Sequence, residues 1–210
     1  MGTYTEQDEL EKLKAWWKNY GGALVLGVAL GLVLLFGNKY WQQYKDQRRE
    51  AASNLYIEML QDARDGRAEA ARGFGERLVK DYDDTPYAGM AALMLARMSY
   101  EANDAAGARQ HLQWAVDHAR DPATQHAARL RLGRVLADAG EYDAALALTG
   151  AAHQEGFEAE YLELKGDVLA LQAKPAAARE AYRAALPQLP ADSPYRRTLT
   201  MKLDDLGGGG

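Results

Sequence analysis

The chain has 210 residues, 48% of them apolar, with 25 Lys and Arg against 30 Asp and Glu for a net charge of −5. That is room for one good-sized domain, or a domain plus an anchor, and the mildly acidic balance argues against a nucleic-acid partner, which needs a clustered basic face. With no cysteine, disulfides, thiolate metal sites, cysteine nucleophiles and a lipidated-cysteine anchor are excluded.

The first element lies near the start. Seventeen residues without a charge run from Gly21 to Gly37, flanked by Trp16, Trp17 and Tyr20 before and Tyr40, Trp41 and Tyr44 after. A helix of that length approaches the roughly 17–25 residues that cross a bilayer, and aromatic rings at both ends form the belts that sit at the two headgroup levels. The polar Asn38 and Lys39 with Tyr40 and Trp41 follow directly, so the small-residue cut site of a cleavable signal is missing. A buried core helix would leave the two aromatic clusters without a purpose. The segment reads as an uncleaved signal anchor in the lipid bilayer, and Ala23, Gly27 and Gly31, four apart, place small residues on one face where another membrane helix can approach. Lys12, Lys14 and Lys18 precede it and Lys39, Lys45, Arg48 and Arg49 follow, so the positive-inside count is nearly balanced and does not set the orientation. The domain organisation expected is a head over 1–20, the anchor over 21–41, a body over 42–206 and a flexible tail over 207–210.

After Tyr44 the pattern is helical throughout: alanine and leucine dominate, with no alternating strand pattern. Breaks fall at Asp65-Gly66, Asp84-Thr85-Pro86, Asn103-Asp104, Asp121-Pro122, Gly140, Gly156, Lys174-Pro175 and Asp192-Ser193-Pro194. Three of them set Thr, Asp or Ser before Pro, a side-chain cap followed by a residue with no amide to satisfy. "LGRVLADAGEYDAALAL" from Leu132 repeats as "KGDVLALQAKPAAAREAYRAAL" from Lys165, a step of 33, and an earlier copy begins at Leu95, a step of 37. Gly133 and Gly166 occupy one position of this pattern, Ala145 and Ala178 another. Small residues there allow a second helix to close on the first. An earlier pair spans about 49–64 and 67–80, and a last helix, about 193–206, caps the stack. The glycine, the central alanine, the later aromatic at Tyr182 and the closing Pro190 resemble the tetratricopeptide repeat. The fold class expected is therefore all-α: a single transmembrane helix, then a tetratricopeptide-like α-solenoid of antiparallel helix pairs with a C-terminal cap.

A search for chemistry returns little. His111, His118, His126 and His153 stand at no metal-ligand spacing, and there is no phosphate loop, dinucleotide fingerprint or nucleophile elbow. No cofactor, metal or catalytic residue is expected, so the chain reads as a non-enzyme. Repeats of this kind bind proteins along the face lined by the first helix of each pair, which nominates Leu93, Arg97, Tyr100, Leu130, Arg134, Glu163 and Asp167 as a partner-binding groove.

The stretches "LKAWWKNYG", "FGNKYWQQY", "REAASNLY" and "MKLDDL", joined to an anchor with glycines and a small helical-repeat body, resemble the YfgM-type ancillary subunit of the Sec translocon from about Tyr4 to Leu206. The resemblance implies a bacterial inner-membrane protein with a cytoplasmic N-terminus and a periplasmic repeat domain. It also implies association with the SecYEG translocon and with a membrane-anchored periplasmic chaperone of the peptidyl-prolyl isomerase-like type; tethering at the channel exit adds client polypeptides as expected further partners. The expected role is a non-enzymatic adaptor that links the channel exit to periplasmic chaperones. The contrasting expectation is a membrane-tethered oligomeric scaffold for an envelope complex unrelated to secretion.

Overall fold

A computed structural model describes residues 3–150 and 156–207. His153 and the last three glycines of the tail lie outside them. Among the described residues there is no strand: the fold is all-α, with helices α1 (Thr3–Arg64), α2 (Ala68–Asp81), α3 (Pro86–Glu101), α4 (Ala105–His118), α5 (Pro122–Asp138), α6 (Tyr142–Thr149), α7 (Glu158–Leu171), α8 (Pro175–Ala185) and α9 (Tyr195–Asp205), and a short 3₁₀ turn at Leu186–Gln188. The chain divides into two units, 1–50 and 51–210.

In the first unit α1 carries the one helix among the described residues that is long and apolar enough to cross a membrane. Leu26, Leu30, Val33, Leu34, Leu35 and Phe36 are each more than half exposed, a continuous apolar surface that no protein group covers and that water would penalise by about 25 cal/mol per Å². The aromatic clusters are real at both ends: Trp16 and Tyr20 lie with ring centroids 6.0 Å apart, and Trp41 and Tyr44 at 6.1 Å. At the second cluster Lys45 sits over the Trp41 ring and Arg48 over Tyr44, so cations and amphipathic rings meet at one level, as at a headgroup boundary.

The second unit is a stack of helix pairs: the end of α1 with α2, α3 with α4, α5 with α6, and α7 with α8, closed by α9. The end of α1 shares one buried cluster with α2; from α2 onward consecutive helices contact one another, and first helices also meet across pairs, α3 with α5 and α5 with α7. Each first helix of a pair ends the same way. Gly66, Asn103, Gly140 and Ala173 all take a left-handed backbone, at steps of 37, 37 and 33 residues. After each, the next amide reaches back to a carbonyl of the last turn: Arg67 to Asp62, Asp104 to Ser99, Glu141 to Leu136 and Lys174 to Leu169. This satisfies carbonyls that a helix end leaves open, and it fixes the period of the repeat in the backbone.

Starts are less uniform than the sequence suggests. Asp121 accepts from the Thr124 amide and Asp104 from the Gly107 amide, each a true side-chain cap. Thr85 caps nothing: its hydroxyl donates to the Tyr82 carbonyl. Ser193 lies one residue before the N-cap position, Pro194, yet its hydroxyl still accepts from the Tyr195 amide at 3.3 Å.

The core is built from small residues, which lets helices approach closely. Ala52, Ala71, Ala91, Ala92, Ala115, Ala128, Ala145, Ala178 and Ala185 are fully buried, with Met59, Leu78, Leu95, Leu164 and Leu199 between them. A Cβ at Gly166 would strike the Tyr182 ring of α8, its own partner helix. A Cβ at Gly133 would lie 2.5 Å from Leu164, so the helix that Gly133 admits is α7, the first helix of the next pair, rather than α6.

Candidate partner-binding groove

The first helices of the pairs line a cavity of about 560 Å³ in the second unit, walled by Tyr56 of α1, Met90, Leu93, Met94, Arg97 and Tyr100 of α3, and Arg131, Arg134, Val135 and Asp138 of α5, with Ala96 and Leu112 in its floor. Its position follows from helical geometry. On α3, residues 90, 93, 94, 97 and 100 recur at three- and four-residue steps and share one face. On α5, residues 131, 134, 135 and 138 do the same. Side chains deeper than these rows close the core, so the rows themselves face outward into the concavity.

One interaction braces the groove's far end across helices, and a second lies within α3. The Tyr100 hydroxyl donates to Asp138 across 2.8 Å, joining α3 to α5, and Arg97 pairs with Glu101 at 2.7 Å. The bond to Asp138 holds the Tyr100 phenol above its usual pKa, because ionising it would place two anions in contact. Among the described residues, Arg131 and Arg134 have no hydrogen bond or ion pair. The volume is that of a site for a few side chains rather than for a folded surface.

Of the residues nominated from sequence, Leu93, Arg97, Tyr100 and Arg134 come together in this groove. Leu130 does not: it is 7% exposed and belongs to the core between the second and third pairs. Glu163 and Asp167 are elsewhere again, bound at 2.6 and 2.7 Å by the Lys202 ammonium of α9. Asp167 also accepts from the Tyr182 hydroxyl at 2.7 Å. Burial, with this bond, pushes the Tyr182 phenol far above its ordinary range. Burial alone would lower Lys202, but its hydrogen bonds to Asp167 and Glu163 outweigh that and raise it. Both carboxylates are thus occupied by the chain's own cap.

Sequence reasoning missed Tyr56, Met90, Met94, Arg131 and Asp138. The repeat step held the signal: Met94 and Arg131 are 37 apart, as are Leu93 and Leu130, but only the first pair faces outward at both levels. In the anchor, a Cβ at Gly27 or Gly31 would meet nothing within 4 Å, so that face is free; the side chain of Ala23 lies outside the described residues.

Nothing in the groove has the makings of a metal centre: among the described residues no three His, Asp or Glu side chains converge to hold an ion. His126 is buried against Phe157 and hydrogen-bonded to the Tyr161 hydroxyl, a packed ring on the far side of α5 from the groove-lining row.

A family model described as a tetratricopeptide repeat-like domain matches residues 14–208, anchor and stack together. Over 96% of its length the chain is 31% identical to the ancillary SecYEG translocon subunit of Neisseria gonorrhoeae, covering 97% of that protein. It is 27% identical to the subunit of the same name from Haemophilus influenzae over 96% of this chain and 97% of the relative. With the Escherichia coli subunit it shares 28% identity over 85% of this chain and 86% of the other.

Proposed function

The chain belongs to the family of YfgM-type ancillary SecYEG translocon subunits with a tetratricopeptide repeat-like domain, and from that premise we propose that it is a single-pass, inner-membrane-anchored adaptor of the Sec translocon. Its N-terminus lies in the cytoplasm and its helical repeat in the periplasm. The anchor, with its free face at Gly27 and Gly31, keeps the repeat domain beside the channel. There the groove between α1, α3 and α5 holds a partner protein, a membrane-anchored chaperone of the peptidyl-prolyl isomerase-like type, and through it serves emerging client polypeptides. Catalysis is no part of this role.

One observation carries the reading: similarity to ancillary translocon subunits extends over 96% of the chain, so anchor and repeat domain are matched as one unit and not as two common parts. The mechanism then needs no strong interface. A tether converts a weak contact into an intramolecular one, raising the effective concentration of the groove at the channel exit to the millimolar order.

The reading is tested by affinity purification of the tagged full chain from detergent-solubilised membranes, with the eluate identified by mass spectrometry. Channel subunits and a periplasmic chaperone are expected. Recovery of the chain with copies of itself and with envelope proteins other than the channel would replace the adaptor by a scaffold.

A further inference from the structure

We propose that the groove selects a segment of its protein partner in which large apolar side chains stand beside carboxylates; this rests on the reading of the groove as the partner site. Charge along the inner face is what points there. Arg97 is already paired with Glu101, while Asp138 accepts from the neutral Tyr100 hydroxyl and keeps its negative charge. Further along, Glu163 and Asp167 are taken by Lys202. Arg131 and Arg134, one helical turn apart on α5 and exposed at the groove wall, have no ion pair among the described residues, and they outnumber the single carboxylate of Asp138, so this wall is net positive.

This positive spot stands against its background, since the chain as a whole carries a net −5. Each guanidinium is a planar fork that matches a carboxylate with two parallel hydrogen bonds. Opposite them the wall is Met90, Leu93 and Met94, flexible thioethers and an aliphatic chain that adapt to varied apolar shapes. A wholly apolar segment would strip water from both arginines and give nothing back. A basic segment would be repelled by them. A segment with both features satisfies the two walls together, and the cavity of about 560 Å³ fits a short stretch of chain.

The test is a selection of random dodecapeptides on the full-length chain held in nanodiscs of zwitterionic lipid, counted against empty nanodiscs. Recovered peptides are expected to be enriched in Asp and Glu next to Leu, Ile, Phe or Met. Their affinity should fall at least roughly tenfold, about 1.4 kcal/mol, in the double variant Arg131→Gln with Arg134→Gln, and also in Met90→Gln. All three substituted side chains lie outside the packed core, so each variant should melt like the parent, which circular dichroism checks. Peptides that respond to Met90→Gln but are neutral or basic, or ignore the arginine changes, overturn the charge rule and leave the groove as the partner site. Recovery of none above empty nanodiscs, or only of peptides indifferent to Met90→Gln, overturns the groove reading and the inference with it.

Discussion

Replacing Gly166 with Ala adds one carbon, and the structure says where it must go. The new Cβ would fall against Tyr182, 2.5 Å from Cδ1 and 2.9 Å from Cζ, where carbon atoms rest about 3.5–4.0 Å apart. The ring cannot simply swing aside. It is 3% exposed, its hydroxyl is held by Asp167 at 2.7 Å, and the same carboxylate binds Lys202. Overpacking costs about 1–3 kcal/mol, and a weakened hydrogen bond to a charged group adds about 1.5–3 kcal/mol. Against this, Ala is favoured over Gly in a helix interior by about 1 kcal/mol. The net is a loss of about 1.5–5 kcal/mol, or roughly 3–20 °C in Tm for a domain of this size. Thermal unfolding of the full chain in detergent, followed by far-UV circular dichroism, reads it out. Gly73→Ala is the matched control: it lies within α2 with nothing within 4 Å of the added carbon, and it should raise Tm by roughly 2–3 °C through propensity alone. Should Gly166→Ala melt at or above the parent, the close approach of α7 and α8 is not as described and the packing logic of the repeat fails.

Ala173 holds φ at 55° where the equivalent positions of two other repeats carry glycine, so Ala173→Gly should stabilise by about 0.5–1 kcal/mol as left-handed strain is relieved, measured by urea unfolding. Lys202→Met leaves the buried Glu163 without its cation; with Lys202 itself partly exposed, the loss should be about 1–3 kcal/mol, and adding Glu163→Gln should return part of it. Because Lys202 is raised in the folded protein, its contribution is full below the unfolded value near ~10.4 and fades only as pH climbs through the folded one, so cap stability should be flat from neutral to mildly alkaline pH. His111 is lowered, by burial first and by Arg72 second, against smaller opposing effects of Glu76 and Asp104; stability should therefore fall as pH drops below about 6.5, and His111→Gln should flatten that slope in pH-dependent melts. In the anchor, Gly27→Leu with Gly31→Leu fills a face that meets nothing within the chain; the variant should insert normally, since Leu favours the membrane interior by a few tenths of a kcal/mol, yet co-purify less with the channel, as packing drives association in lipid.

The helical class, the anchor and the period of the repeat were legible because each rests on local chemistry. An uncharged run with aromatic ends has few uses in water, and left-handed C-terminal residues recur at the repeat step whatever packs above them. The groove was legible only in part. Periodicity says that Leu93 and Leu130 are equivalent, and it cannot say that one borders the concavity while the other is sealed beneath it, because the depth of a row depends on how adjacent pairs are rotated. Glu163 and Asp167 were misplaced for a different reason: their partner, Lys202, lies at least 35 residues away, on a helix whose docking no local pattern records. Thr85 failed as a cap because its hydroxyl, in a buried side chain, is turned back toward the preceding turn, where it donates to the Tyr82 carbonyl.

The central claim is that anchor and groove work as one adaptor, the first at the channel and the second on a partner. Photocrosslinking in living cells tests it most directly, with a light-activated aromatic residue placed in the full chain at Tyr40, at the end of the anchor, or at Tyr100, at the groove rim. Both side chains are exposed, so neither substitution disturbs the core. The account predicts that Tyr40 yields adducts with channel subunits, while Tyr100 yields adducts with a periplasmic chaperone, the latter lost in the Arg131→Gln, Arg134→Gln variant. Adducts only between copies of this chain from both positions would contradict it.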